Sequence, residues 1–295
     1  YYTWCQKFCV YGGFGNHEII AYKNIPYLKS LLEKNMIRRL KEDVLDLPDK
    51  IYYTEYVENT KYQEALYNEV VQGIISNRGK IISSMNPLAQ FLRLRQVNGS
   101  PELVDDSLTI DSTYTKYNAK LQRLLDILED IHERKEKVII FSNWVEPLRT
   151  LYRFVHKKYN VACYTGTMKQ DERENEKKRF IEDPDCTVII GTIGALGTMH
   201  TLTVANNVIF YDEPWNATDK EQAEDRVHRI GTSQSVNIYT IITKGTVDER
   251  VHDIIFTKSG VSKYIVDGSL DIHSNPELFD LLLSDTISKS ASNLQ

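Results

Sequence analysis

Two arginines and one glutamine share a predicted helix and together could bind a phosphate group. Gln222, Arg226 and Arg229 are spaced i, i+4 and i+7 within the segment 218–230. Because such positions lie on one face of a helix, the amide and both guanidiniums would point the same way. Arginine stays charged and binds phosphate oxygens through its planar fork. The alternative is a solvated face whose arginines pair with neighbouring acids, Glu224 and Asp225.

A glycine-containing loop follows a predicted strand and could approach a second phosphate oxygen. Thr192 directly follows the predicted strand 187–191, and Gly194 and Gly197 come within five residues of it. Glycine lets a backbone come close to a ligand, and the threonine hydroxyl can donate a hydrogen bond. An ordinary strand-to-helix turn is the alternative interpretation of this loop.

The segment VIFYDEP places two acids after four apolar residues, at Asp212 and Glu213. In transporter ATPases such a pair holds Mg²⁺ and polarises a water molecule. That chemistry needs a phosphate-binding glycine loop, and Gly79-Lys80 lacks both the leading Gly and the following Ser or Thr. The pattern therefore favours Asp212 as a residue that ends a strand and shapes the loop carrying Trp215. No metal site is predicted.

From about residue 117 strands alternate with helices, which predicts an α/β fold with a mostly parallel sheet covered on both faces. Ligands bind such sheets at the loops after the carboxyl ends of the strands. The predicted strands are 138–141, 161–164, 187–191, 208–211 and 236–242, and the helices are 146–158, 168–181, 218–230 and 246–256. Loop residues at those ends are Ser142, Asn143, Gly166, Thr192 and Trp215.

The N-terminal third is predicted to be mainly helical with interruptions. Thr60 and Gln63 form a capping-box signature, whereas Ile51–Val57 alternates as a strand does. We divide the chain into a helical insertion region at 1–116, an α/β lobe at 117–258 and a tail with a short helix at 259–295. The first residue is Tyr1, which suggests a piece of a longer protein.

Composition excludes several classes of protein. The 295 residues are 41% hydrophobic and 26% charged, which is typical of a globular protein and excludes a largely disordered one. No apolar stretch is long enough to span a membrane. The net charge of −5 excludes a globally basic nucleic-acid-binding protein, although not a local basic groove. The four cysteines are expected to be free thiols.

Several segments resemble the motifs of Swi/Snf-family (superfamily 2) helicase-like DNA-dependent ATPases, in chain order. Gln222–Gly231 (QAEDRVHRIG) resembles motif VI, Thr192–Ala205 motif V, Lys137–Trp144 motif IV, and Asp212–Asn216 the D-x-x-W-N element before motif VI. Met36–Lys50 and Leu92–Leu103 resemble the stretches between the two ATPase lobes. The version of motif V is similar to that of bacterial, phage or annealing-helicase-like members. Ala195, Met199 and Thr232 depart from the usual pattern.

The resemblance implies a C-terminal RecA-like lobe of an ATP-driven double-stranded-DNA translocase. Catalytic roles then fall to Arg226, Arg229 and Gln222, and nucleotide contact to Gly194. DNA contacts fall to Ser142, Asn143, Gly166, Arg173, Thr192 and Trp215.

The same resemblance implies ATP and Mg²⁺ held mainly by an N-terminal lobe, which would be a partner of this lobe. The protein would be intracellular, bacterial, phage-borne or nuclear, and monomeric, with no membrane partner. This chain alone would then be inactive as an ATPase. The alternative is an isolated, non-catalytic module that docks DNA or protein.

Overall fold

A computed structural model describes residues 2–12, 18–24, 27, 30–31, 45–73, 76–77, 80–81, 87–197, 202–253 and 255. The chain divides into two compact units, with the division after Asp46. The first unit contains helix α1 (Tyr2–Phe8) and an antiparallel pair of strands, β1 (Cys9–Gly12) and β2 (Glu18–Tyr22). The basic run Lys34–Lys41 and the tail at 259–295 lie outside the described residues.

The second unit is built on a six-stranded parallel sheet in the order β3-β10-β9-β6-β8-β7. This confirms the α/β class and the RecA-like parallel sheet expected from the alternation of strands and helices. A separate two-stranded pair, β4 and β5, lies outside that sheet. The strand bounds are β3 Lys50–Val57, β4 Ser76–Asn77, β5 Lys80–Ile81, β6 Val138–Ser142, β7 Asn160–Tyr164, β8 Cys186–Thr192, β9 Asn207–Phe210 and β10 Val236–Thr243.

Helices connect the strands and cover both faces of the sheet. Their bounds are α2 Lys61–Val71, α3 Pro87–Gly99, α4 Ala119–Glu133, α5 Val145–Val155, α6 Gln170–Glu182, α7 Ile193–Leu196 and α8 Ala217–Glu224, and residues 247–253 form α9. Short 3-10 turns occupy Pro101–Leu103 and Tyr114–Tyr117. No described helix has the length and apolar character that crossing a membrane requires.

Side chains of β6 alternate between two buried clusters, because successive strand residues point to opposite faces. Val138 and Ile140 pack with the apolar stripes of α4 and α5. Ile139 and Phe141 pack on the other face, with Phe180 of α6 and residues of α7 and α8. All five residues of β6 are buried, which is why this strand is apolar throughout.

A third cluster joins the helices before the lobe to the helix that follows the sheet. Phe91 and Leu94 of α3 pack with Val70 of α2 and with Val247 and Val251 of α9. The predicted capping box is confirmed at the start of α2: Gln63 N donates to Thr60 Oγ1 at 3.2 Å, and Thr60 N donates to Gln63 Oε1 at 3.3 Å. Helix α3 is therefore fixed against the same unit as the sheet.

Strand β3 differs from the domain division drawn from the sequence. It lies within the segment 1–116, yet it pairs along its whole length with β10, from Val236↔Lys50 to Thr243↔Val57. The compact unit containing the sheet accordingly begins at Leu47 instead of residue 117. A strand's alternating pattern reveals its buried face but not its partner, so this pairing had no local signal.

Candidate nucleotide and DNA interface

Four neighbouring strands bring the predicted DNA-contact loops to one edge of the sheet. Strands β9, β6, β8 and β7 are adjacent and parallel, so the loops after them meet at the carboxyl edge. Ser142, the last residue of β6, is the register partner of Thr192, the last residue of β8. Gly166 follows β7 and Trp215 follows β9. The sequence-based grouping of these loops is confirmed in position, while their contact with DNA stays a prediction.

Asp212 ties the loops after β6 and β9 together. The Ser142 hydroxyl donates to one oxygen of this carboxylate, and Asn143 N donates to the other at 2.8 Å. Asn143 Nδ2 also donates to the Glu213 carbonyl oxygen at 2.8 Å. Burial raises the pKa of Asp212, although Arg95 and the hydrogen bond from Ser142 oppose the rise. Asp212 thus shapes the loop, as its position after the strand predicted.

Ser142 is fully buried, so its hydroxyl faces Asp212 and not the solvent. Sequence reasoning read it as a DNA contact because it follows a strand at the ligand-binding edge. The buried hydroxyl supports the carboxylate that accepts from Asn143, and a contact of Ser142 with DNA stays a prediction. Asn143 itself is half-buried.

Glu213, the second acid of the pair, is occupied by two basic side chains. Its carboxylate accepts hydrogen bonds from Lys220 and, at 2.8 Å, from His252 Nδ1. Burial alone would raise the pKa of Glu213, but the hydrogen bond from His252 and the charge of Lys220 hold it down at about 2. Among the described residues, no three His, Cys, Asp or Glu side chains are grouped as a metal site would need.

Trp215, on the loop after β9, is half-buried. Its ring lies 5.0 Å from the Phe91 ring of α3 and 6.4 Å from the Trp144 ring, centroid to centroid. The Arg95 guanidinium carbon sits 4.3 Å from the Trp215 centroid. Trp215 is therefore in contact with helix α3, a neighbour that no sequence spacing indicated.

Within residues 192–197, at the carboxyl end of β8, Gly194 is exposed while Thr192 and Leu196 are buried. A Cβ added at Gly194 would meet no atom within 4 Å, whereas one at Gly191 would lie 2.5 Å from the Tyr164 carbonyl oxygen. Thr192 occupies the N-cap position of α7, and its side chain makes no capping hydrogen bond. Gly194 therefore has space beside its Cα, whereas Gly191 is packed closely, and the contact of Gly194 with a nucleotide stays a prediction.

The predicted helix 218–230 ends six residues early, at Glu224, with Asp225 as its C-cap. The N-cap is Asn216, which accepts from Thr218 N at 2.8 Å; the predicted pair Thr218 and Glu221 does not cap it. Arg226 and Arg229 consequently lie in an irregular turn, and the shared i, i+4, i+7 face with Gln222 is wrong.

Backbone turns, supported by the Thr232 side chain, replace the helix after Glu224; His228 N, for example, donates to the Glu224 carbonyl oxygen at 2.9 Å. Thr232 Oγ1 donates to the Val227 carbonyl oxygen at 2.6 Å and accepts from Arg229 N at 3.1 Å. A hydroxyl that bonds the backbone in this way competes with helical hydrogen bonds. Gly231 lies at φ +107°, a conformation that favours glycine. The turn thus exposes Arg229, while Arg226 is half-buried.

Arg226 joins this turn to the glycine loop. Its Nε donates to the Gly197 carbonyl oxygen at 2.8 Å, and its own carbonyl oxygen accepts from Leu202 N at 2.9 Å. The nucleotide-contact residues named from sequence, Gly194 and Arg226, are therefore brought to one loop pair even though the helix geometry differs. Gln222 is exposed on α8, beside this pair in the chain.

The loop after β7 forms the outer end of the edge. Gly166 is exposed, and a Cβ there would meet no atom within 4 Å. Arg173, on α6, is half-buried, with its guanidinium carbon 5.7 Å from the Tyr164 ring centroid. Both residues lie near the edge where the DNA contacts were predicted.

The donor set fits a phosphate-bearing ligand and does not fit a resident metal. Two guanidiniums and an open glycine backbone, which are donors, lie on the loop pair around Arg226. The acids nearby are already engaged: Asp212 by Ser142 and Asn143, Glu213 by Lys220 and His252. Mg²⁺ prefers carboxylate and water oxygens, and the carboxylates of Asp212 and Glu213 are already engaged.

Comparisons with known proteins agree with this geometry. A helicase conserved C-terminal domain matches residues 119–231. YwqA of Bacillus subtilis (strain 168), whose name describes an ATP-dependent helicase/translocase, is 27% identical over 272 residues, covering 88% of this chain and 29% of that protein.

Two solved structures share the architecture. The C-terminal part of the Fun30 ATPase domain has a TM-score of 0.66 at 21% identity, covering 83% of this chain and 98% of that structure. The Sulfolobus solfataricus SWI2/SNF2 ATPase core in complex with dsDNA has a TM-score of 0.61 at 27% identity, covering 82% of this chain and 52% of that one.

The parallel sheet and its loop edge define a helicase-like C-terminal lobe of superfamily 2. The match over residues 119–231 and the likeness to SWI2/SNF2 ATPases support a Snf2-family helicase-like C-terminal lobe. The chain spans less than a third of the YwqA protein. The branch within the family stays a prediction.

Proposed function

We propose that this lobe is the second motor lobe of an ATP-dependent double-stranded-DNA translocase and works against an N-terminal RecA-like lobe. The observation that carries the proposal is the bond from Arg226 Nε to the Gly197 carbonyl oxygen, which couples the arginine turn to the open glycine loop. Phosphate-binding backbone and cationic side chains then face one ligand from the carboxyl edge of the sheet.

Within this proposal ATP is the substrate and binds between the lobes. Exposed Arg229 and half-buried Arg226 donate to the γ-phosphate and stabilise the charge that develops during phosphoryl transfer. Gln222 orients the phosphate or the attacking water, and the Gly194 backbone approaches a phosphate oxygen. Mg²⁺, held mainly by the N-terminal lobe, neutralises phosphate charge when bound.

In this proposal the loops at the carboxyl edge of the sheet contact the phosphate backbone of the DNA. Asn143, Gly166, Thr192 and Trp215 lie on neighbouring loops of one edge, and Arg173 adds a cation at its outer end. Contacts to phosphates carry no sequence information, so duplexes of unrelated sequence bind alike. The chain has a net charge of −5, so short-range contacts supply the affinity and added salt weakens it. Opening and closing of the interlobe cleft would convert these grips into steps.

Substitution of each arginine in the protein containing both lobes tests the catalytic assignment. Arg226→Ala and Arg229→Ala should each lower DNA-stimulated ATP turnover on the order of 10³–10⁵-fold, as for other arginines that stabilise this transition state. Arg229→Lys should restore little, because an ammonium lacks the planar fork.

Arg134→Ala is the matched control, since Arg134 pairs with Glu136 at 3.0 Å before β6, at the opposite edge of the sheet. Turnover of Arg229→Ala within a few-fold of Arg134→Ala would overturn the catalytic assignment. A thermal melt on each variant confirms that the fold is kept.

A further inference from the structure

Arg95 is a buried cation between two tryptophans. It lies on helix α3, is 3% exposed, and its guanidinium carbon is 4.3 Å from the Trp215 centroid and 5.0 Å from the Trp144 centroid. The two rings belong to different loops, after β6 and after β9, and stand nearly perpendicular at 81°. One guanidinium therefore contacts both loops from a third element.

The polar contacts of Arg95 reach the loop after β9 and helix α9. Its Nη2 donates to the Glu213 carbonyl oxygen at 2.6 Å, and its Nε lies 3.6 Å from Asp248 Oδ1. Lys120 Nζ, 2.5 Å from Asp248 Oδ2, shares that carboxylate. Arg95 thereby links α3 to the loop carrying Trp215 and to the helix behind it.

Hydrogen bonding alone does not satisfy this guanidinium. Within the described part of the chain, Arg95 Nε and Nη1 are buried and have no hydrogen-bond partner. Arg95 lines a cavity of about 10 Å³ together with Trp144, Ser100 and Asp212. A desolvated cation in this position gains from the negative faces of aromatic rings, more than it would in water. The tryptophan rings thus contribute to holding the cation, and the cation in turn holds the rings.

We propose that Arg95 is a positioning residue that fixes Trp144 and Trp215, and with them the loops after β6 and β9, relative to helix α3. The proposal rests on the proposed function in one respect, that these loops contact DNA. Movement of α3 would then be transmitted to the DNA-contact loops through one planar side chain. A lysine cannot do the same, because it lacks the plane that stacks on two rings.

Tryptophan fluorescence of this chain tests the positioning directly. The sequence has three tryptophans, so a Trp4→Phe background leaves Trp144 and Trp215 as the emitters. Arg95→Lys and Arg95→Met should both shift the emission to longer wavelength and raise the acrylamide quenching constant about twofold as the rings gain solvent. Arg93→Lys and Arg93→Met are matched controls on the same helix, because Arg93 donates instead to the Leu103 carbonyl oxygen at 2.9 Å.

Unchanged emission in Arg95→Lys would overturn the proposal. If Arg95→Met unfolds in a thermal melt, the charge-conserving Arg95→Lys decides alone. Duplex binding by the same chain gives the functional readout: Arg95→Lys should weaken binding about fivefold, while Arg93→Lys binds like the unsubstituted chain.

If the unsubstituted chain does not bind duplex DNA, the DNA role in the proposed function fails. The emission result still decides whether Arg95 positions the rings. An altered emission with unaltered duplex affinity would overturn the link between ring position and DNA contact.

Discussion

Two parts of one sheet edge differ in burial and in how many of their polar groups are hydrogen-bonded within the protein. At the loops after β6 and β9, Asp212 and Glu213 are buried and each accepts hydrogen bonds from two residues. At the loop after β8 and the turn containing Arg226 and Arg229, the Gly194 backbone is open and Arg229 is exposed. The first part has the character of a rigid support, and the second has that of a contact surface.

Residue type alone does not distinguish a polar residue that supports a loop from one that contacts a ligand, but burial does. Acids after a strand and arginines after a helix are both common in active sites. Here the two acids are buried and their hydrogen bonds stabilise the loops, whereas Arg229 in the arginine turn is exposed. Substitutions in the first part should therefore act mainly on stability, and those in the second mainly on ligand binding and turnover.

Removal of Asp212 should give the largest loss of stability. Asp212→Ala leaves the Ser142 hydroxyl and Asn143 N without their acceptor and removes one of the negative charges near Arg95, so we expect about 3–5 kcal/mol of destabilisation. The melting temperature should fall by roughly 10 °C in a thermal melt. Asp185→Ala, at an exposed position before β8, is the control. Equal melts for the two variants would mean that Asp212 does not support the loops.

Glu213 should give the stability a pH dependence below neutrality. Its pKa in the folded chain is about 2, below the ordinary value of 4.5, so the ionised form is favoured by folding. This contribution is complete above about pH 4.5 and is lost as the pH falls towards 2; its size at neutral pH is roughly 2–3 kcal/mol. The free energy of unfolding, measured with denaturant from pH 7 to 2, should therefore fall less steeply for Glu213→Gln than for the unsubstituted chain. Parallel curves for both proteins would refute the role.

Two glycines, Gly191 in β8 and Gly194 in α7, should respond differently to an added methyl group. Gly191→Ala places a Cβ 2.5 Å from the Tyr164 carbonyl oxygen and should lower stability by about 1–3 kcal/mol. Gly194→Ala meets no atom within 4 Å and should change stability by less than about 0.5 kcal/mol. Thermal melts of both variants check this. A large loss in Gly194→Ala would mean that the loop is not open.

Thr192 should give the smallest effect, confined to DNA binding. Thr192→Val keeps the volume and removes a hydroxyl that does not cap α7, so the dissociation constant for duplex DNA should rise about fivefold. Thr187→Val, nearer the other end of β8, is the matched control. Fluorescence anisotropy with a labelled duplex measures both. Equal affinities would remove Thr192 from the proposed DNA contacts.

The sheet was predictable because its strands are apolar on both faces. Val138–Ile140 and Val188–Ile190 are continuous apolar runs, which only burial between two helical layers explains. The alternation of strands and helices then predicted parallel strands, whose carboxyl ends lie at one edge of the sheet. The position of the loop residues was therefore accessible from sequence.

The remaining features depend on contacts that local patterns do not encode. Helix α8 stops at Glu224 because Thr232 and the bond from Arg226 to Gly197 favour a turn over an apparently continuous helix. Strand β3 finds β10 across nearly two hundred residues of chain. Arg95 stands in an unremarkable helix, and only the fold brings two tryptophans to it.

We propose that this lobe contributes the arginines of an ATPase site whose other half lies on a second lobe. Steady-state ATP hydrolysis, measured for this chain and for the protein containing both lobes, with and without duplex DNA, tests it most directly. We expect no turnover above background from the chain alone and DNA-stimulated turnover from the two-lobed protein, lost in Arg229→Ala. Robust DNA-stimulated hydrolysis by the chain alone would contradict the account.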